Sequence, residues 1–294
     1  MSGDAGPSSG EVAVQRAAAR YATQLGGRLL ASYALGSLAH GGFSEAVSDV
    51  DLGLILSDPP CPDDAERIRE IADRADVAAE PLDPRLSVFW GTPSTLRGER
   101  EGGRFPALDR LDLIEHGRLI AGEDEVRRGL PHPSPAELLV TGARFALQRL
   151  AGFALSADDQ RRSDDDGPAS EKIEELHSPE LLIAAGLRRV TKTVLFPVRF
   201  LFTAASGRVA TNDDAVDAYL ADREAPSRAL VAAARAWRVG SSAWDEQAMR
   251  LLSLELVPLY LHYMDDHVAR LGSLGEAELM RCFEVWRGRL SGPR

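Results

Sequence analysis

The sequence predicts an α/β (α+β) domain with a mixed sheet, followed by an all-α helical bundle. Short apolar runs alternate with helix-period segments over residues 11–130, which indicates strands and helices in succession. From residue 131 to 294 only helical periodicity remains. Between the first two apolar runs lies a glycine-containing turn, and the second run opens with two aspartates.

Residues 1–10, MSGDAGPSSG, are polar and read as a disordered tail without the apolar core of an export signal. Residues 11–30 read as a helix with Val12, Ala19, Tyr21 and Leu25 as core contacts. Leu30–Leu35 is a short apolar strand that ends at Gly36-Ser37. Residues 38–47 are small and polar, so a loop or a single helical turn follows. The run Asp49–Leu56 alternates. Val50, Leu52, Leu54 and Leu56 share one face, and Asp49, Asp51, Gly53 and Ile55 the other. Pro59, Pro60 and Pro62 end it. Asp63–Arg74 is a charged amphipathic helix with Asp63 and Asp64 placed to cap it. Residues 76–83 fit no element clearly, and Leu86–Trp90 reads as a third strand. In the second half, 134–156, 173–206, 212–221, 225–238, 242–271 and 275–290 read as helices, and the acidic stretch 157–170 as a loop.

Composition narrows the function. Cys61 and Cys282 are far apart, and His40, His116, His132, His177, His262 and His267 form no ligand cluster, which argues against a disulfide framework or a structural zinc site. The apolar segments 136–155 and 180–204 carry arginines and Lys192, as core helices do and membrane spans do not. Together these point to the cytoplasm and to no membrane partner. A net charge of −11 argues against non-specific nucleic-acid binding, which needs a basic footprint, and suits a small cationic substrate better.

The chemistry concentrates in Gly36-Ser37 and Ser48-Asp49-Val50-Asp51-Leu52. Carboxylates two residues apart on a strand lie about 6.6 Å apart on one face. Such a pair repels itself and calls for a cation; oxygen-only ligands suit Mg²⁺, which completes its shell with water and phosphate. Glycine lets an anion approach the backbone closely. The N–H groups that follow, with the Ser37 hydroxyl, can cradle a phosphate oxygen.

The run ALGSLAHGGFSEAVSDVDLGLIL resembles the signature of the DNA-polymerase-β-like nucleotidyltransferase superfamily, a Gly-Ser followed after about a dozen residues by Asp-x-Asp. With its helical second half, the chain looks most like the aminoglycoside adenylyltransferases of the streptomycin/spectinomycin type. The resemblance implies a nucleotidyltransferase domain over 11–130 and a helical substrate- and nucleotide-closing domain over 131–294. It implies transfer of AMP from Mg·ATP, or another nucleoside triphosphate, to a hydroxyl of a small acceptor, with antibiotic resistance as a role. By motif position, Gly36, Ser37 and Ser48 would bind the nucleotide, while Asp49 and Asp51 would bind Mg²⁺ and carry catalysis.

One departure stands out. The family places a third carboxylate on the strand after the helix, where this chain has Ser87. Asp83, four residues earlier, is the nearest acid and the candidate substitute, with Glu80 next. In the helical half, Lys192 and Arg199 lie seven apart on one helical face and are candidates for the triphosphate, or for pairing with an acid such as Glu255. The segment Thr203–Ala215 resembles the family's glycine turn, with Thr211-Asn212 where relatives carry lysine. His40 reads as a loop residue. Two other functions remain compatible with the sequence: a degenerate nucleotide-binding or regulatory module, and an adenylyltransferase acting on a macromolecule.

Overall fold

The computed structural model describes residues 8–74, 82, 85–155, 169–240 and 244–292. Asp83, Glu80, most of 76–83 and the acidic stretch 157–168 lie outside them. The chain divides into two compact units, up to Pro133 and from Ser134 onward.

The first unit opens with helix α1, Ser9–Leu25. Ser8 caps it by accepting the Glu11 N–H at 3.2 Å, so the helix begins inside the segment expected to be a disordered tail. Its core face matches expectation at Tyr21 and Leu25 but not at Val12 and Ala19. Ala13, Val14, Ala17, Ala18, Tyr21 and Leu25 are buried, whereas Ala19 is exposed and Val12 half-buried. Small residues let α1 lie close to the sheet, and they carry little hydrophobic signal. The helix stops at Leu25, because Gly26–Arg28 form a 3₁₀ turn into strand β1, Leu29–Leu35.

After the short helix α2, Ser37–His40, comes β2, Val50–Leu56, and then α3, Asp64–Asp73. Asp63 makes no side-chain cap. Asp64 is instead buried; its carboxylate accepts from the Cys61 N–H at 2.8 Å and pairs with Arg28 at 2.7 Å. Strand β3, Leu86–Gly91, precedes the short helix α4, Pro93–Leu96, then α5, Ala107–Glu115, and β4, Arg118–Gly122. The sequence did not indicate α4, α5 or β4.

The sheet is mixed and four-stranded, in the order β3-β2-β1-β4. β1 runs antiparallel to both β2 and β4, and β2 runs parallel to β3. The alternation of β2 places its two faces in different cores. Val50, Leu52, Leu54 and Leu56 pack with α1, α3, Val88 and Trp90. Ile55 packs on the other side with Tyr33, Leu35, Leu96 and Leu113. Asp51, opposite Leu35 in the β1–β2 register, belongs to this second face.

The second unit is helical: α6 Pro135–Arg149, α7 Ala169–His177, α8 Pro179–Ala184, α9 Leu187–Ser206, α10 Asn212–Ala221, α11 Arg228–Trp237, α12 Glu246–Leu274 and α13 Ala277–Ser291. The helix expected over 173–206 is three. Ser178 caps α8 ahead of Pro179, and Gly186, at φ 94°, opens α9. Residues 169 and 170, assigned to the acidic loop, already belong to α7. Leu147, Val194, Leu230, Leu256, Tyr260, Tyr263, Phe283 and Trp286 share one core. Among the described residues, no helix is long and apolar enough to cross a membrane.

Candidate functional site

The site is set by how β1 ends and β2 begins. Antiparallel pairing puts Leu35 against Asp51, so the chain leaves β1 at Gly36 beside the first carboxylate of β2. Gly36 has φ 58°, in the region that favours glycine, and it turns the backbone into α2. A Cβ on Gly36 would fall inside the van der Waals envelope of Asp51 Oδ2. This position therefore requires glycine twice over, for its backbone angle and for the carboxylate packed on its Cα.

The turn uses its own donors selectively. The Ala39 and His40 N–H groups donate to Gly36 O at 2.9 and 3.1 Å. The Gly36 N–H donates to Asp112 Oδ2 at 2.5 Å. Within Gly36–His40 that leaves the N–H groups of Ser37 and Leu38, with the Ser37 hydroxyl, for an anion. His40 belongs to α2 rather than to a loop, with its Nε2 3.6 Å from Asp112 Oδ1 and its ring edge-on to His116.

Asp49 lies one residue ahead of β2, half-buried like Asp51. The approach loop is held from two sides. Ser48 is buried, and its hydroxyl accepts the Ser44 N–H at 2.9 Å. Arg85, just before β3, donates to Glu45 O at 2.6 Å. Ser48 thus staples the loop that delivers Asp49. On the far side of β2, Ser87 is the residue opposite Asp51 in the parallel β2–β3 register. Side chains opposite one another in a parallel pair share a face, so Ser87 presents a hydroxyl beside Asp51.

No protein-family model matches the chain, and no curated protein matches it in sequence. Among solved structures, it is similar to a spectinomycin adenyltransferase from Enterococcus faecialis, crystallised with ATP and spectinomycin. The similarity has a TM-score of 0.49 and 13% identity, over 83% of this chain and 95% of that one.

Gly36, Ser37 and Asp51 therefore come together at one end of the sheet, with Asp49 delivered to β2 by the Ser48 loop. Asp83 lies outside the described residues. Lys192 and Arg199 both lie on α9 of the second unit. The Lys192 ammonium sits 5.8 Å from the centre of the Phe196 ring. Arg199 lies near Arg238, whose pKa is lowered chiefly by burial, opposed by Asp213 and reinforced by the like charge of Arg199. Glu255, the acid suggested as a partner, instead accepts the Leu230 N–H at 2.9 Å in the first turn of α11. Sequence reasoning missed Asp112. Its only signal is an acid inside the otherwise apolar stretch LDLI of α5.

A divalent cation can be tested against the donor set. The pair offers hard carboxylate oxygens, as Mg²⁺ requires, and the bare Cα of Gly36 leaves room for one of them. Among the described residues, no three His, Cys, Asp or Glu side chains converge as a complete metal cage. A pair of carboxylates fits an ion that completes its shell with phosphate and water.

Proposed function

We propose that the chain is a Mg²⁺-dependent nucleotidyltransferase that moves AMP from ATP to a hydroxyl of a small, cationic acceptor of the aminoglycoside type. The observation that carries this is the packing of the Asp51 carboxylate on Gly36 Cα, which sets an acid directly beside an anion-competent turn.

Asp49 and Asp51 would hold Mg²⁺. Bound there, the ion would neutralise triphosphate charge and the charge that develops on the departing pyrophosphate. The Ser37 and Leu38 N–H groups and the Ser37 hydroxyl would bind a phosphate oxygen and fix its orientation. Catalysis would come mainly from positioning, with the acceptor hydroxyl in line with the bond that breaks. Asp83 is the carboxylate assigned to receive the acceptor's proton, by its place in the sequence four residues before Ser87.

The experiment is a pyrophosphate-release screen with Mg·ATP against aminoglycosides and other hydroxylated cations, run beside Asp51→Asn. Release with one acceptor, abolished by the substitution, supports the assignment. Ser87 opposite Asp51 favours one rival, a nucleotide-binding module without turnover. Tight Mg·ATP binding with no pyrophosphate release across the panel would establish that rival instead.

A further inference from the structure

Asp112 is buried on α5, at 5% exposure, on the side of the sheet that carries Asp51. A buried carboxylate is costly unless its oxygens find donors. Oδ2 takes the Gly36 N–H at 2.5 Å, and Oδ1 faces His40 Nε2 at 3.6 Å. Both contacts lie within the Gly36–His40 turn. The residue is itself fixed from behind, since its carbonyl accepts the His116 and Gly117 N–H groups, each at 2.9 Å, at the end of α5. Asp112 thus ties a helix end to the turn through Gly36, with Oδ1 and His40 Nε2 close but not hydrogen-bonded to each other, and Asp51 rests on the same Gly36.

We propose that Asp112 is a positioning residue that holds Gly36 in place and so sets the spacing between the Ser37 turn and the Asp51 carboxylate. It touches neither nucleotide nor metal; it acts through Gly36. It also sorts the donors of the turn. With the Gly36 N–H committed to Asp112, the anion is left to Ser37 and Leu38, which lie further along the chain. The proposal rests on the assignment of Gly36-Ser37 and Asp51 as the phosphate and metal sides of one site.

The test is the Kd of the full chain for Mg·AMPCPP, an ATP analogue resistant to α,β cleavage, measured by calorimetry beside the melting temperature. Asp112→Ala should weaken binding about tenfold, the scale of one charge-assisted hydrogen bond. Asp112→Asn keeps an oxygen for the Gly36 N–H and should stay within about threefold of the parent, whereas a purely structural role predicts that Asp112→Ala lowers the melting temperature without changing the Kd of the folded chain. If the alanine variant does not fold, Asp112→Ser, whose shorter side chain does not reach Gly36, is measured in its place and should show the same loss. Asp51→Asn separates the two levels. Parent binding that is weakened by Asp51→Asn but unchanged in Asp112→Ala or Asp112→Ser overturns the role of Asp112 alone. Absence of Mg-dependent binding in the parent overturns both the site assignment and this proposal.

Discussion

Asp51 and Ser87 sit opposite each other across β2 and β3, on one face of the sheet. A carboxylate at position 87 would stand beside Asp51 as a third acid. Ser87→Asp should therefore lower stability in EDTA by about 1–2 kcal/mol through like-charge repulsion, and Mg²⁺ should restore it. Thermal melts with and without Mg²⁺ check this. A variant whose melting temperature responds to Mg²⁺ no more than the parent's would show that position 87 lies outside the metal's reach.

Gly36→Ala adds a Cβ at φ 58° and drives it into Asp51 Oδ2. The backbone strain alone costs about 1–3 kcal/mol. Because Asp51 must also move, Mg-dependent nucleotide binding should fall further than stability does. Denaturant melts and calorimetry on one sample separate the effects. Full binding in a destabilised variant would mean that the carboxylate does not depend on this contact.

Arg28 and Asp64 pair at 2.7 Å, with the Asp64 side chain 3% exposed. Arg28→Met removes the cation and leaves the carboxylate with the Cys61 N–H. The expected loss is about 3 kcal/mol, the scale for stranding one partner of a buried pair. A denaturant midpoint close to the parent's would show that the Cys61 N–H and water satisfy Asp64 without Arg28.

His267 titrates in the opposite sense to a histidine that gains a carboxylate in the open. Burial at 1% exposure lowers its pKa, outweighing the raising influence of Asp266. The folded chain therefore holds it neutral where the unfolded chain, with a pKa of about 6.5, begins to bind a proton. Stability is full above that value and declines as pH falls below it toward the folded-state pKa. Asp266, whose pKa is also lowered, contributes a separate loss in the range below about 4. Urea melts between pH 5 and 7.5 should slope downward toward acid, and His267→Gln should flatten that slope. An unchanged slope would move its origin to another group.

The part of the site that was legible in the sequence is the part written in local alternation. Period two in β2 put Asp51 on the face opposite the apolar one, while Ser87 was singled out only by the resemblance to the nucleotidyltransferases. What stayed hidden depends on distant contacts or weak local signals. β4 is a largely exposed edge strand, with Leu119, Ala121 and Gly122 open to solvent, so no buried alternation marks it. Asp112 looks like an ordinary helix acid until α5 folds back to Gly36. Val12 and Ala19 were misplaced on the core face of α1, where Tyr21 and Leu25 do lie, because alanines make much of that face. By contrast, Ser178-Pro179 and Gly186 did mark the breaks between α7, α8 and α9, but the apolar periodicity running through them outweighed those signals.

The hydrogen bond between Gly36 and Asp112 spans 76 residues. During synthesis the turn leaves the ribosome long before its clamp. At about 5–20 residues per second, that interval is roughly 4–15 s. That window is long enough for β1 and β2 to pair, which would bring the glycine and its aspartate into register before α5 exists. Full binding affinity would then arrive late in translation, when Asp112 closes on the turn, rather than when the motif itself is complete.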